Sequence, residues 1–187
     1  VNIFLIRHAE YDNPEQIFPY HLPVTLSTEG RQRAIRVGKW LKEQGFSRID
    51  IYSSPIVRAI QTAEIIASLT NSHVFTEKDL IEVQFSKLQG KPMPKNNDWS
   101  MCYVPGSQED PESMLKRMRR VYKKRIEAEK DCVLISHGDP LTLIYYDLIK
   151  KTPPRELDTG GLYVQKGEII NLKIENGKLI AIKRQIV

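Results

Sequence analysis

Apolar and polar positions along this 187-residue chain switch between a period near two and a period near 3.6, and the switches predict alternating strands and helices. The opening run VNIFLI is short, apolar and partly β-branched, which suits a buried strand. A loop follows, and then LSTEGRQRAIRVGKWLKEQG places Ala34, Val37, Gly38 and Leu41 on one helical face. Ser27 or Thr28 can cap that helix and Gly45 can stop it. RIDIYSS reads as a second strand, and SPIVRAIQTAEIIASL as a helix with a Ser54 cap and Pro55 at its first position. HVFTE is expected to be a third strand. Beyond it, the stretch from Phe85 to Pro111 holds Gly, Pro and the Asn96-Asn97 pair but little periodicity, and loops of that length tend to be functional covers.

The second half continues the alternation. Leu115, Met118, Val121, Tyr122 and Ile126 fall at helical spacing, DCVLIS is a buried strand, and DPLTLIYYDLIKK is a helix with Pro140 near its start. The tail GLYVQKGEIINLKIENGKLIAIKRQI contains three strand-like runs, with turns at Lys166-Gly167 and Asn176-Gly177, the latter suited to a hairpin. The expected fold is α/β: a mainly parallel sheet flanked by helices on both faces, with an antiparallel C-terminal extension. Residues 1–187 are expected to form a single domain.

Composition narrows the function classes. With 41% hydrophobic and 27% charged residues, the chain resembles an ordered globular protein rather than a disordered one. No apolar run approaches the roughly 18 residues of a membrane span, and the opening run is too short for a signal peptide. Cytoplasmic residence is the default expectation. Cys102 and Cys132 suggest no disulfide framework, and Cys132 in CVLIS is expected in the core. A net charge of +5 invites a nucleic-acid partner. The densest basic run, KRMRRVYKKR, nevertheless lies on the helix just described, so its cations are expected on the solvated face. Aromatic residues to stack on bases are missing there, apart from Tyr122. No nucleic acid and no membrane are therefore expected as partners, and the charge fits an anionic small molecule. Homodimer formation is left open.

Candidate chemistry collects at three strand ends. The first strand runs into Arg7 and His8, the second into Ser53-Ser54 with Arg58 one turn on, and CVLIS into Ser136-His137-Gly138. In open α/β sheets such ends converge on a ligand site. Two guanidinium groups match phosphate oxygens, and a neutral imidazole can attack phosphorus. Neighbouring arginines lower the pKa of His8 and keep it nucleophilic. Backbone N–H groups of Gly138 and Asp139, entering a helix, can face the anion, and His137 can donate to an equatorial oxygen. A metal is not expected, because the arginines repel a divalent ion and no ligand spacing stands out.

The motifs LIRHAE, LSTEGRQRA, YSSPIVRAIQTA, LIEVQFSKLQG and LISHGDP, in that order, resemble those of the histidine phosphatase superfamily, also called phosphoglycerate-mutase-like. PESMLKRMRRV is similar to the weaker Glu-Ser plus Arg segment before the last catalytic strand. The resemblance implies that Arg7 and Arg58 bind phosphate, His8 is the nucleophile and His137 completes the pocket. It also implies that Glu82 is the proton donor to the leaving group, a role that an alkoxide demands of some acid. Tyr11 replaces a frequent Thr, Pro14 a phosphate-binding Asn (with Asn13 one residue short), Ser86 a common Gly, and Asp139 a frequent small residue. His21 and His73 match no motif and are expected to be structural or exposed.

The implied activity is a metal-independent phosphatase acting on a small-molecule phosphomonoester through a phosphohistidine, with no cofactor. Sugar phosphates, nucleotides, cobalamin-pathway intermediates and phosphoproteins stay open as substrates. The alternative is a cofactor-dependent phosphoglycerate mutase, although such mutases tend to be longer. A non-catalytic phosphate-binding or interaction module is opposed by the complete set of His8, His137, Glu82 and both arginines.

Overall fold

A computed structural model describes residues 1–95 and 98–187; the Asn96-Asn97 pair lies outside them. Six strands, β1 (Asn2–Arg7), β2 (Asp50–Ser53), β3 (Val74–Thr76), β4 (Cys132–Ser136), β5 (Ile169–Glu175) and β6 (Lys178–Gln185), form one sheet in the order β3-β2-β4-β1-β5-β6. The β1–β4, β4–β2 and β2–β3 pairings are parallel, and the β1–β5 and β5–β6 pairings are antiparallel. This is the expected α/β arrangement with its antiparallel extension.

Alternation along the central strands assigns the two faces. Phe4 and Ile6 of β1 and Val133 and Ile135 of β4 pack under α1 (Thr28–Glu43) and α2 (Val57–Thr70). Ile3, Leu5, Cys132 and Leu134 point the other way, toward α3 (Pro111–Glu127) and α4 (Gly138–Leu148). Every residue from Ile3 to Ile6 is at most 1% exposed, and burial of that order contributes about 1.5–3 kcal/mol for each large aliphatic side chain. Ser27 caps α1 by accepting from the Gly30 N–H at 3.1 Å, and Gly45 ends it at φ +86°. The Asn176-Gly177 hairpin forms with both residues at positive φ, the signature of a twisted two-residue turn.

Three elements depart from the sequence reading. α2 starts at Val57 with Ile56 as its N-cap, so neither Ser54 nor Pro55 opens the helix. Ser54 Oγ instead accepts from the Ile56 N–H at 3.3 Å in the turn before it. The tail carries two strands, because the residues around Tyr163 and Val164 run as extended loop. In α3 the basic residues are not all on the outer face: Arg117 and Arg125 are 3% and 5% exposed. Leu115, Tyr122 and Ile126 are half-buried at the edge of the stripe.

The long segment after Phe85 has, among its described residues, little regular structure beyond a 3₁₀ turn at Ser100–Tyr103 and a bridge between Pro92 and Ile17. It folds over the loop that follows β1, burying Phe18, Leu88 and Cys102 together with half-buried Tyr20, Met93 and Trp99. Cys102 and Cys132 are both buried free thiols. Among the described residues no helix is long and apolar enough to cross a membrane.

Candidate active site

Strand register builds the site. Arg7 lies opposite Ser136 across the parallel β1–β4 pair, so the next residue of each strand, His8 and His137, emerges at the same level. Their ring centroids are 5.0 Å apart. Ser53 is level with Ile135, which brings the turn into α2, and with it Arg58, to the same edge. Arg7, His8 and Arg58 line a cavity of about 630 Å³, and His137 contacts both His8 and Arg58.

His8 is fixed in one tautomer. Its Nδ1–H donates to the Ala9 carbonyl at 2.8 Å, which leaves Nε2 as the acceptor for Arg58 Nε–H at 3.1 Å. Burial, then the charges of Arg58 and Arg7, hold its pKa well below 6.5, so the ring is neutral and its Nε2, which accepts from Arg58, carries no proton. Arg58 is 1% exposed and also donates through Nη2 to the Tyr20 carbonyl at 2.8 Å and to His137 Nδ1 at 3.3 Å. That contact leaves the His137 proton on Nε2, where it faces Ser54 Oγ at 2.8 Å. A hydroxyl partner can accept or donate, so it also serves the tautomer with Nδ1–H turned to the cavity. Burial followed by Arg58 lowers the His137 pKa too.

Arg7 donates through Nη1 to the Val164 carbonyl at 2.8 Å, and its guanidinium lies 5.2 Å from the Tyr163 ring centroid. Arg7 Nε and Arg58 Nη1 are buried with no acceptor among the described residues. Such donors are costly to leave unpaired, and an anion with several acceptor oxygens would satisfy both. Gly138 begins α4 against this group: a Cβ there would run into the Tyr163 hydroxyl and come within 3.1 Å of Arg7 Cζ. Only glycine lets the helix start this close.

Two carboxyls face the basic pocket. Glu82 Oε2 is 3.6 Å from His137 Nδ1 and 3.9 Å from Arg58 Nη2, while Oε1 accepts from the Val83 N–H at 3.1 Å. Burial raises its pKa against the opposing pull of Arg58 and Arg7. Asp139 accepts from the Tyr163 hydroxyl at 2.8 Å, and burial together with the Glu82 charge pushes its pKa up to about 7. Behind Glu82, buried Arg117 donates to the Asp79, Ile81 and Glu82 carbonyls at 2.7, 2.7 and 3.2 Å, clamping the segment that carries the acid.

All six residues singled out from sequence (Arg7, His8, Arg58, Glu82, His137 and Gly138) are thus brought together. Asn13 is not: its amide Nδ2 donates to the Ile17 carbonyl at 2.9 Å, within its own loop. His21 is structural, its Nε2 lying 3.0 Å from the Val83 carbonyl. Sequence reasoning missed Tyr163, Lys166 and Arg117 as site components, noted Tyr11 only as a departure, and gave Asp139 a role through its backbone N–H but none through its side chain. Tyr163 and Lys166 come from the tail loop after α4, whose apolar run looked like a strand, and no local signal sets them apart. Among the described residues no group of three or more His, Cys, Asp or Glu side chains is placed to hold a metal ion.

Comparison with known proteins agrees with this geometry. A 2,3-bisphosphoglycerate-dependent phosphoglycerate mutase of Thermoplasma acidophilum is 29% identical over 186 residues, which cover 95% of this chain and 90% of that protein. Bacillus stearothermophilus YhfR superposes with a TM-score of 0.81 at 20% identity, over 96% of this chain and 94% of its own. The alpha-ribazole phosphatase from Shigella flexneri gives 0.76 at 21% identity, over 96% and 93%. Residues 3–185 match the description "Histidine phosphatase superfamily (branch 1)". A match that runs from β1 to the end of β6 leaves no element of the sheet outside it, and the chain belongs to branch 1 of the histidine phosphatase superfamily.

Proposed function

We propose that the protein is a metal-independent phosphatase that hydrolyses phosphomonoesters through a phosphohistidine at His8. The observation that carries this reading is His8 itself: a neutral ring at the pocket, with Nδ1–H anchored on Ala9 and an unprotonated Nε2 that Arg58 Nε–H holds until a phosphoryl group takes over that donor. Arg7 and Arg58 grip the phosphoryl oxygens and offset their charge, and the first turn of α4, which has no side-chain cap, adds N–H groups. His8 Nε2 attacks phosphorus, forming the P–N bond as the P–O bond to the alcohol breaks. Glu82, with its raised pKa, gives its proton to the departing oxygen. The resulting carboxylate then takes a proton from water as the water oxygen attacks phosphorus; the P–N bond breaks, releasing phosphate and free His8.

The named activity of the Thermoplasma acidophilum relative supports a second reading, a mutase in which the phosphohistidine returns its phosphate to an isomeric acceptor. One set of measurements separates them. A labelled phosphomonoester quenched in alkali should leave an acid-labile adduct that His8→Ala lacks, with turnover unaffected by EDTA. Glu82→Gln should slow cleavage of alkyl phosphates about 10²-fold or more, yet spare p-nitrophenyl phosphate, whose leaving group needs little protonation. Label on Ser or Cys, or full turnover by His8→Ala, refutes the proposal. Isomerisation without net phosphate release, in a bisphosphoglycerate-primed assay, assigns the mutase instead.

A further inference from the structure

Charge is distributed unevenly across the cavity. Arg7 and Arg58 flank His8, and Lys166 Nζ lies 4.5 Å from the centroid of the Tyr11 ring, which is itself 5.5 Å from the His8 ring. Arg33, the remaining cation at the cavity wall, is on the same side and is paired with Glu10 at 3.5 Å. A carboxyl-bearing wall adjoins these cations where Glu82 meets the leaving oxygen: Glu82, 3.9 Å from Arg58 Nη2, Asp139, on which Arg7 acts, and Asp158 line it with Tyr163 and Tyr20. Asp158 Oδ1 is buried with no donor among the described residues. Arg155 lines a second cavity, of about 500 Å³, that shares Cys102 and Asp139 with the first; it does not line the phosphate pocket.

We propose that this wall selects phosphomonoesters whose alcohol part carries no anionic group, with Asp139 as a specificity-determining residue. The inference rests on the phosphatase reading and names its substrate class. An alcohol that leaves past Glu82 enters a region of carboxyls. Hydroxyl or amino groups on it can hydrogen-bond to Asp139 and Asp158, whereas a carboxylate or second phosphate finds like charge, with the nearby cations Arg7 and Arg58 already engaged by the phosphoryl group. Asp139 faces Glu82, Tyr163, Arg7 and Asp158, and none of these removes its negative charge above neutral pH.

Glycerol 3-phosphate and 3-phosphoglycerate test this, since they differ only in a CH₂OH group against a carboxylate. Each is measured as a competitor of p-nitrophenyl phosphate hydrolysis, and their common phosphate ionisation cancels in the ratio. At pH 8 glycerol 3-phosphate should bind at least tenfold more tightly, and the preference should shrink as pH falls through about 7, where Asp139 takes up its proton. Asp139→Asn should bring the ratio toward one and Asp139→Glu should keep it. Where a variant turns over too slowly, calorimetric binding of the two esters gives the same ratio. Equal or tighter binding of 3-phosphoglycerate by the unmodified protein overturns the inference, as does a ratio unchanged in Asp139→Asn. Inert p-nitrophenyl phosphate with the unmodified protein instead overturns the phosphatase reading, and this inference with it.

Discussion

Replacing Arg117 with Met removes a cation that the structure has buried on purpose of position rather than of charge. The side chain is 3% exposed, and its partner Glu109 only 8%. Arg117 Nε and Nη2 donate to the two Glu109 oxygens at 2.9 Å each, and Nη1 and Nη2 together hold three backbone carbonyls. Met fills a similar volume but offers no donor, so Glu109 keeps only the Gln84 N–H at 3.1 Å. Breaking a buried pair from one side costs about 3–5 kcal/mol, because the other charge stays behind. Of a total stability of about 5–15 kcal/mol, that is a large fraction. Urea unfolding followed by two probes would measure it. Glu109→Gln should cost less than Arg117→Met, and the double variant less than the sum of the two, with a coupling of about 1–3 kcal/mol. In the folded fraction, the loosened Glu82 should slow alkyl phosphates more than p-nitrophenyl phosphate. A cost below about 1 kcal/mol, as for a surface ion pair, or simple additivity, would show that the clamp is not energetically real.

Arg58→Lys keeps the charge but loses the fork that reaches His8, Tyr20 and His137, so kcat should fall about 10²-fold; unchanged kinetics would remove Arg58 from the phosphate site. Gly138→Ala should displace Tyr163 and Arg7 and lower kcat/KM by about 10²-fold, with a small change in melting temperature by comparison; equal damage to both would mark Gly138 as structural only. Asp139→Asn should become more stable than the parent as pH rises. The folded pKa of about 7 lies above the ordinary 3.8, so the folded state binds the proton more tightly and the parent loses stability between those values. The gain should be complete above about pH 7 and absent below about pH 4; a pH-independent difference in melting temperature would contradict it.

The sequence carried the central part of the site because the site is made of strand ends. An apolar run of buried period stops where its charged residues start, and Arg7-His8 and Ser136-His137 are legible for that reason. The parallel register that sets them side by side was implied by the order of strands and helices. Arg117 was not legible: it flanks the apolar stripe of α3, and only acceptors from Glu109 and three carbonyls of a distant loop turn an outward cation inward. Arg125 is buried for a different reason, its guanidinium lying 3.9 Å over the Tyr52 ring on β2. Ser54 looked like a helix cap because Ser-Pro commonly opens a helix, yet its hydroxyl is held by Ile56 and His137. Local propensity cannot report a hydroxyl claimed by a residue 83 positions away. The same limit hid Tyr163, whose hydrogen-bond partner Asp139 lies 24 positions earlier in the chain.

The position of β1 has a consequence for how the protein is made. Its neighbours in the sheet are β4 and β5, both from the second half of the chain. As a ribosome releases the polypeptide, the strand that ends at Arg7 emerges before both of its partners and waits unpaired for them. A nascent chain therefore holds His8, the proposed nucleophile, beside an unsupported strand until β4 and β5 are out, and chains interrupted before β5 should be catalytically silent and prone to aggregate through that exposed apolar edge. Activity in such a protein is itself a report that translation has passed the hairpin.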